Sequence, residues 1–449
     1  MKKHVQQIPI LKFGKTVICQ INKTIDHYFS DFINQLAFLP DPRKSCEYGM
    51  DEIVMSSIAM FLFHKDSRNA FNNGRKASNF DENYSQLFGM QLPHMDTVDD
   101  VFRLMDNASL ENIKSKMISQ LIRNKVLVDQ RYQGKYIVAL DGTGIASYDE
   151  PCEGCITKTS KTGKVTYFHN VLEAKLLTAS GLSLSMASEY IHNEGKANFV
   201  KQDCELKAFK RLAVTLKANF PRLPIIIVVD GLYPVQGFFD ICKQNGWDYV
   251  VTLKDDSLKT LQEEIDWEKR IKPNQARTIC LKKSNTAITQ NYCWLSNLQY
   301  KEHHLNWVEC IEYQNNTNTK KDFKQKFVHL TSLEMNNDTC SHISGLGRLR
   351  QKIENEGFNC QKNNGYNLEH KFSRTNFNAK KNYYQCLQIA HIINQLVIMS
   401  EPINNLLKAD TKLTVKYLWE RLISFLLECL LQADDLVQLA DKPYQIRLS

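Results

Sequence analysis

Apolar residues recur at three- and four-residue spacing through the first part of the chain. Ile53, Val54, Ile58, Phe61 and Leu62 follow Asp51, which is placed to cap a helix. Thr97-Val98-Asp99-Asp100 has capping-box form ahead of Val101, Leu104 and Met105. Ile113, Met117, Leu121 and Ile122 share one side of a stretch from Leu110 to Asn124. Residues 24 to 125 thus read as helical.

The period then shortens. Lys135-Tyr136-Ile137-Val138-Ala139-Leu140 is a run of strand formers ending at Asp141-Gly142-Thr143-Gly144, which predicts a buried strand that stops at Asp141. Val165–Thr178 and Leu182–Tyr190 predict two more strands, turned by Ala179-Ser180-Gly181. A helical stretch from Lys201 to Ala218 leads to Ile225-Ile226-Ile227-Val228-Val229, again closed by Asp-Gly at Asp230-Gly231. A helix over Val235–Asn245 and a strand over Tyr249–Leu253 complete the series. Three strands in succession predict a meander, and the later alternation predicts parallel strands with crossover helices.

From 255 to 340 the pattern is short and alternating, as in Thr278–Leu281, Tyr292–Ser296, Trp307–Tyr313 and Phe327–Thr331. These predict a β-rich insertion. Helix returns over Gly345–Gln361 and is expected to persist to the end, with Gln385–Ser400 and Leu418–Gln432 strongly apolar. The expected fold is α/β: an RNase H-like mixed sheet, a β-rich insertion before a Glu-bearing helix, and helical N- and C-terminal regions. The expected division is 1–130 (helical, DNA-binding), 131–254 (first part of the core), 255–342 (insertion), 343–400 (Glu-bearing helix and following helices) and 401–449 (helical).

Composition narrows the partners. A chain of 449 residues with 43% hydrophobic content can bury a large core. The net charge of +8 suits a nucleic-acid partner, since phosphates attract Lys and Arg and release counterions. The 13 cysteines are scattered, and no apolar run is long enough to span a bilayer. Reduced thiols in a cytoplasmic, nucleoid-associated protein with no membrane partner are expected.

Asp141 and Asp230 share a local setting, each the first polar residue after a buried strand and each followed by Gly. Strand ends in open α/β sheets are where ligands bind. If the strands are neighbours, the carboxylates converge, and converging carboxylates need a cation between them. Hard oxygen donors select Mg2+ or Mn2+. The plain alternative is a pair of ordinary turn residues. A third carboxylate is sought in Leu349–Lys362, where Arg350 and Glu354 share a helix face at four-residue spacing. Glu354 is preferred, with Glu356 and Glu369 as rivals, and a surface ion pair is the bland reading.

The two strand-Asp-Gly segments, the Phe327-Val328-His329-Leu330-Thr331-Ser332 strand and the Ile353-Glu354 helix together resemble DDE transposases of bacterial insertion sequences. That large family has the signature Tyr, two residues, Arg, three residues, Glu, six residues, Lys. Arg350 and Glu354 keep the three-residue gap. The Tyr position is Gly347, and the Lys position is Gln361, with Lys362 one place on.

The resemblance implies a DNA endonuclease and strand-transferase acting at transposon ends. Asp141 would bridge two Mg2+ (or Mn2+) ions, and Asp230 and Glu354 would each hold one. It further implies double-stranded DNA as partner, phosphate contacts from Arg350 and Lys362, and a homodimer in the synaptic complex. A domesticated or inactive transposase-derived DNA-binding protein is the alternative, and a small-phosphoester hydrolase a third.

Basic residues around the Glu helix, among them Arg348, Lys352 and Arg374, are expected at phosphates. The resemblance points to Trp294 for base stacking, although packing inside the insertion is the simpler role. Cys152-Glu153-Gly154-Cys155 is a C-x-x-C that zinc could use with His192 or Cys204, but two free thiols in a loop are preferred. His169 is a candidate auxiliary to the carboxylate site.

Overall fold

The structure, a computed structural model, describes residues 10–193, 202–272, 275–283, 286–316, 322–409, 413–432, 444–446 and 448. Its centre is strand β1 (Tyr136–Tyr148), which carries the apolar run Tyr136–Leu140. The strand does not stop at Asp141, as the following glycines suggested, but continues to Tyr148. Backbone pairing explains the difference. Residues 137–148 pair antiparallel with β3 (Val165–Leu177), whereas only Tyr136–Ala139 pair parallel with β5 (Ile225–Val229). Asp141 therefore keeps a ladder partner on one side and is open on the other.

A short strand β2 (Ile156–Thr159), unanticipated in the sequence, and strand β4 (Ser183–Ile191) both pair with β3. Strand β6 (Asp248–Thr252) lies parallel to β5. The core order is β4-β3-β1-β5-β6: three antiparallel strands, then two parallel to β1. Helix α8 (Glu205–Asn219) joins β4 to β5 and packs on β3 and β4 with Ala208, Phe209, Leu212 and Leu216 buried. Residue 201, where that helix was expected to begin, lies outside the described residues. Helix α9 (Gln236–Asn245) ends at Gly246 in the left-handed conformation, φ +68°, a position that favours glycine.

The segment expected as an insertion extends the same sheet. Strand β10 (Asp322–Thr331) pairs antiparallel with β6, and β9 (His303–Asn316), β8 (Thr286–Tyr300) and β7 (Ala276–Lys283) follow outward. It also contains a helix, α10 (Lys259–Ile271), that the alternating pattern did not suggest; Leu261 and Ile265 are its buried residues.

Among the described residues seven α-helices precede the sheet: α1 (Ile10–Tyr28), α2 (Phe32–Ala37), α3 (Met50–Leu62), α4 (Arg68–Gly74), α5 (Ser78–Phe88), α6 (Met95–Leu104) and α7 (Asn107–Arg123). The caps differ from expectation. Gly49, not Asp51, caps α3, with its N–H donating to Glu52 at 2.9 Å. Helix α6 starts at Met95, so Thr97 lies inside it.

The Glu-bearing helix expected over 345–361 is present but changes pitch along its length. Helix α11 (Cys340–Leu349) turns at Arg350 and resumes as a widened π segment over Ile353–Asn359, then a short α12 (Cys360–Asn363). The π geometry buries Ile353, Gly357 and Phe358 while Glu354 stays exposed; such segments often mark functional sites. Residues 364–376 are not helical, contrary to expectation. Helix α13 (Phe377–Met399) follows, capped by Asn376, whose side chain accepts from the Ala379 N–H at 2.8 Å.

Helix α13 is buried along almost its whole length. It packs against α1, α3, α6 and α7, so the helices that precede the sheet share a core with those that follow it. Buried asparagines satisfy helix-end carbonyls there: Asn382 Nδ2 donates to Phe102 O and Met105 O, both at 2.9 Å. Helices α14 (Glu401–Ala409) and α15 (Val415–Glu428) complete the bundle, and residues 433–443 of the expected helical C-terminal region lie outside the described residues. Among the described residues no helix is long and apolar enough to cross a membrane.

Candidate active site

Parallel pairing of β1 with β5 sets Ala139 opposite Val228. Two residues further along come Asp141, within β1, and Asp230, just past the end of β5, so both acids lie at one level of the sheet. Helix α11 crosses this part of the sheet, contacting β5, β6 and β10, and the π segment that follows reaches β1. The structure thereby brings Asp141, Asp230 and Glu354 together from three distant segments.

The electrostatics record that convergence. Burial pushes the Asp141 carboxyl up to about 6; the Asp230 and Glu354 charges add to the rise, and the Arg350 guanidinium and the Gly142 N–H oppose it. Arg350 Nη1 lies 3.2 Å from Asp141 Oδ2, and the Gly142 N–H donates to Asp141 Oδ1 at 3.0 Å. Asp230 Oδ1 accepts from the Leu232 N–H at 2.9 Å, while Lys254 Nζ stands 4.0 Å from Asp230 Oδ2.

A fourth carboxylate completes the group. Glu205, first residue of α8, is pushed up to about 7 by burial and then by the Asp141 and Asp230 charges. Its Oε1 would lie 2.6 Å from a Cβ on Gly142, so glycine there leaves the room Glu205 occupies. The Tyr233 hydroxyl, 3.5 Å from Glu205 Oε2, partly counters the rise. Sequence reasoning missed Glu205 because an acid in the first turn of a helix is ordinary. No spacing rule links it to Asp141.

The rivals for the third acid are engaged elsewhere. Glu356 pairs with Lys352 at 3.1 Å, and Glu369 with Lys362 at 2.8 Å. Both departures from the signature have a local explanation. A Cβ at Gly347 would overlap the His329 ring, so no side chain fits where the family has Tyr. Gln361 is fully buried and donates to Gln388 Oε1 at 2.9 Å; a Lys there would be buried.

Other expected positions need correction. Arg348 donates to the buried Glu312 at 2.8 Å and lies 4.1 Å from the Phe327 ring centroid, so it is committed within the sheet extension. Trp294 is only 7% exposed and packs in that extension's core, so its indole face is covered. His169 is not beside the carboxylates. It stands further along β3, opposite Ala146, with Nε2 3.7 Å from Cys152 Sγ. Cys152 and Cys155 lie within disulfide reach of each other, their Cα atoms 5.5 Å apart. His192 and Cys204 are not in that group: among the described residues the cluster is Cys152, Cys155 and His169.

Basic residues do flank the acids. A groove of about 480 Å³ is lined by Lys254, Lys326, Arg348 and Arg350, of which Lys254 stands near Asp230 and Arg350 pairs with Asp141. A separate groove of about 870 Å³, between α4 and the loop at 369–374, sets Arg68, Arg75, Lys76, Lys371 and the exposed Arg374 beside Asp81, Asp96 and Glu369. No protein-family model matches the chain, and no curated protein is similar to it.

Proposed function

We propose that this protein is a DNA transposase, cutting at transposon ends and joining the freed 3′ ends to target DNA. The observation that carries the reading is the meeting of Asp141, Asp230 and Glu354, with Glu205 beside them, at the edge between β1 and β5. The strand order β4-β3-β1-β5-β6, three antiparallel strands and then two parallel, supports an RNase H-like core. The resemblance of the Arg350–Glu354 segment to the DDE signature supports the same assignment.

The donor set fits a hard divalent cation. All four side chains offer carboxylate oxygens; burial, and after it the neighbouring negative charges, raises Asp141 and Glu205, and a cation would relieve both. Asp141, Asp230 and Glu354 would hold Mg2+ or Mn2+, with Glu205 as a further oxygen donor. When bound, a pair of such ions activates a nucleophilic oxygen and stabilises the leaving oxygen of a phosphodiester.

The chain's own contribution is position and charge, which carry most of the rate in phosphoryl transfer. Arg350 offers a planar donor to a phosphate oxygen next to Asp141. Lys254 and Lys326 line the adjoining groove and would guide the strand toward the acids. Two subunits would pair the transposon ends.

Cleavage of duplex DNA carrying the terminal repeats that flank the coding region, with wild type and Asp230→Ala compared, tests the reading. Mg2+-dependent cutting lost in the variant is the expected result. Binding without cutting would instead mark a domesticated or inactive relative. Hydrolysis of small phosphoesters without DNA affinity would overturn the assignment.

A further inference from the structure

The carboxylate site leaves a second group of donor atoms unused. Cys152 and Cys155 sit in the crossover between β1 and β2, and His169 stands on β3. Their donor atoms all lie within 4.8 Å of one another. His169 and Cys155 are buried, and the sulfurs of the two cysteines are in contact. We propose that Cys152, Cys155 and His169 bind a zinc ion when the two cysteines are reduced, with water completing the coordination.

One edge of the group already suits that ion, and the two sulfurs would move apart on reduction to admit it. Zinc bonds of about 2.3 Å to sulfur and about 2.0–2.1 Å to nitrogen, at a tetrahedral angle, imply an S···N edge of roughly 3.6 Å. Cys152 Sγ lies 3.7 Å from His169 Nε2. The two cysteine Cα atoms are 5.5 Å apart, and the Cys155 N–H donates to Cys152 O at 3.3 Å, closing the C-x-x-C into a tight turn. Gly154 holds φ +68° in that turn, and a Cβ there would press 2.7 Å from the Phe377 ring.

The surroundings hold the ligands in place. Asn193 Nδ2 donates to Cys155 O at 3.2 Å, and Phe377 stacks on the His169 ring at 4.1 Å. His169 Nε2 also faces Glu153 O at 2.7 Å and would turn from that carbonyl to the ion, leaving Nδ1 to carry the ring proton. Lys380 Nζ, now 3.5 Å from Nδ1 as its donor, would swing away once Nδ1 is protonated, and its nearby positive charge favours thiolate. Binding releases the two thiol protons, and two thiolates balance the charge of the ion.

A disulfide is the competing state of the same pair. The other eleven cysteines are free, the exposed Cys46 and Cys280 among them, so the pair belongs to no wider disulfide framework. The ion would tie the β1–β2 crossover to β3, next to α13, where Lys371 and Lys380 lie over the Tyr148 ring. It is separate from the carboxylate site and does not depend on the transposase reading.

The test uses full-length protein purified under reductant without chelator. About one zinc per chain by elemental analysis is expected, retained by Cys46→Ser and lost in Cys152→Ser, Cys155→Ser and His169→Asn. Replacement by Co2+ should give the intense visible bands of a tetrahedral site with thiolate ligands. Should the variants fail to fold, wild-type stoichiometry and the Co2+ spectrum still decide. Eleven titratable thiols out of 13 in protein kept folded under reductant, then freed of the reductant and denatured, would establish the disulfide and overturn the proposal. So would reduced protein that takes up neither metal.

Discussion

Arg350 reaches back across the sheet to Asp141, its Nη1 3.2 Å from Oδ2, and this ion pair ties the turn after α11 to the middle of β1. The guanidinium is the main influence holding Asp141 down against burial and its acidic neighbours. Its partner therefore depends on it for charge.

Arg350→Ala should leave the fold intact and raise the Asp141 carboxyl further. DNA cleavage should fall by roughly ten- to a hundredfold, the scale of losing one preorganised donor. DNA binding should fall much less. Single-turnover cleavage alongside an equilibrium binding titration separates the two effects, and equal losses in both would assign Arg350 to binding alone.

Protonation should couple to stability at this site. Asp141 and Glu205 are raised to about 6 and about 7 in the folded chain, against 3.8 and 4.5 ordinarily. The folded state thus binds protons more tightly than the unfolded one. The metal-free protein should gain stability from these groups as pH falls from about 7 toward 4.5, and lose it as pH rises through that window. Thermal melts of wild type and of Asp141→Asn/Glu205→Gln across this range should diverge most at high pH, with the double variant the more stable there. Mg2+ should raise the wild-type Tm at pH 8 and release protons near pH 6.5; identical pH profiles for the two proteins would contradict the repulsion.

Gly347 occupies the position at which the resembled family carries Tyr. Restoring that residue should harm this protein, because a Cβ there meets the His329 ring. Gly347→Ala should cost about 1–3 kcal/mol, the range for overpacking a filled site, and Gly347→Tyr more. Urea unfolding measures both.

Two tryptophans of the sheet extension should behave oppositely. Trp294 is 7% exposed and Trp267 is 60% exposed. Trp294→Ala should destabilise by about 3–5 kcal/mol, as large core truncations do. Trp267→Ala should stay within about 0.5 kcal/mol, as surface changes do. Paired denaturation curves decide this; a silent Trp294→Ala would reopen its assignment to stacking.

Some of this architecture is legible before folding. The runs Tyr136–Leu140 and Ile225–Val229 are apolar enough to be strands under any packing, and the acids that follow them are visible beside glycine. The three- and four-residue spacing in α3 and α7 survives in the sequence for the same reason, and α13 shows there as a strongly apolar run. The caps, the continuation of β1 past Asp141 and the helix α10 are not visible, because each depends on which neighbour supplies hydrogen bonds or a surface. An alternating segment such as Phe327–Thr331 reads as a strand, but nothing local says that it joins β6.

What the sequence by itself determined is the set of apolar runs, their periods, and the acids and basic residues that interrupt them, since side-chain hydrophobicity and backbone preference act locally. Tertiary structure alone decided that Glu205 joins Asp141 and Asp230, that Gly347 has no room for a side chain, and that His169 belongs with Cys152 and Cys155. Those are relations between segments far apart in the chain. Strand register and helix crossing set them, and neither is written in any one window of residues.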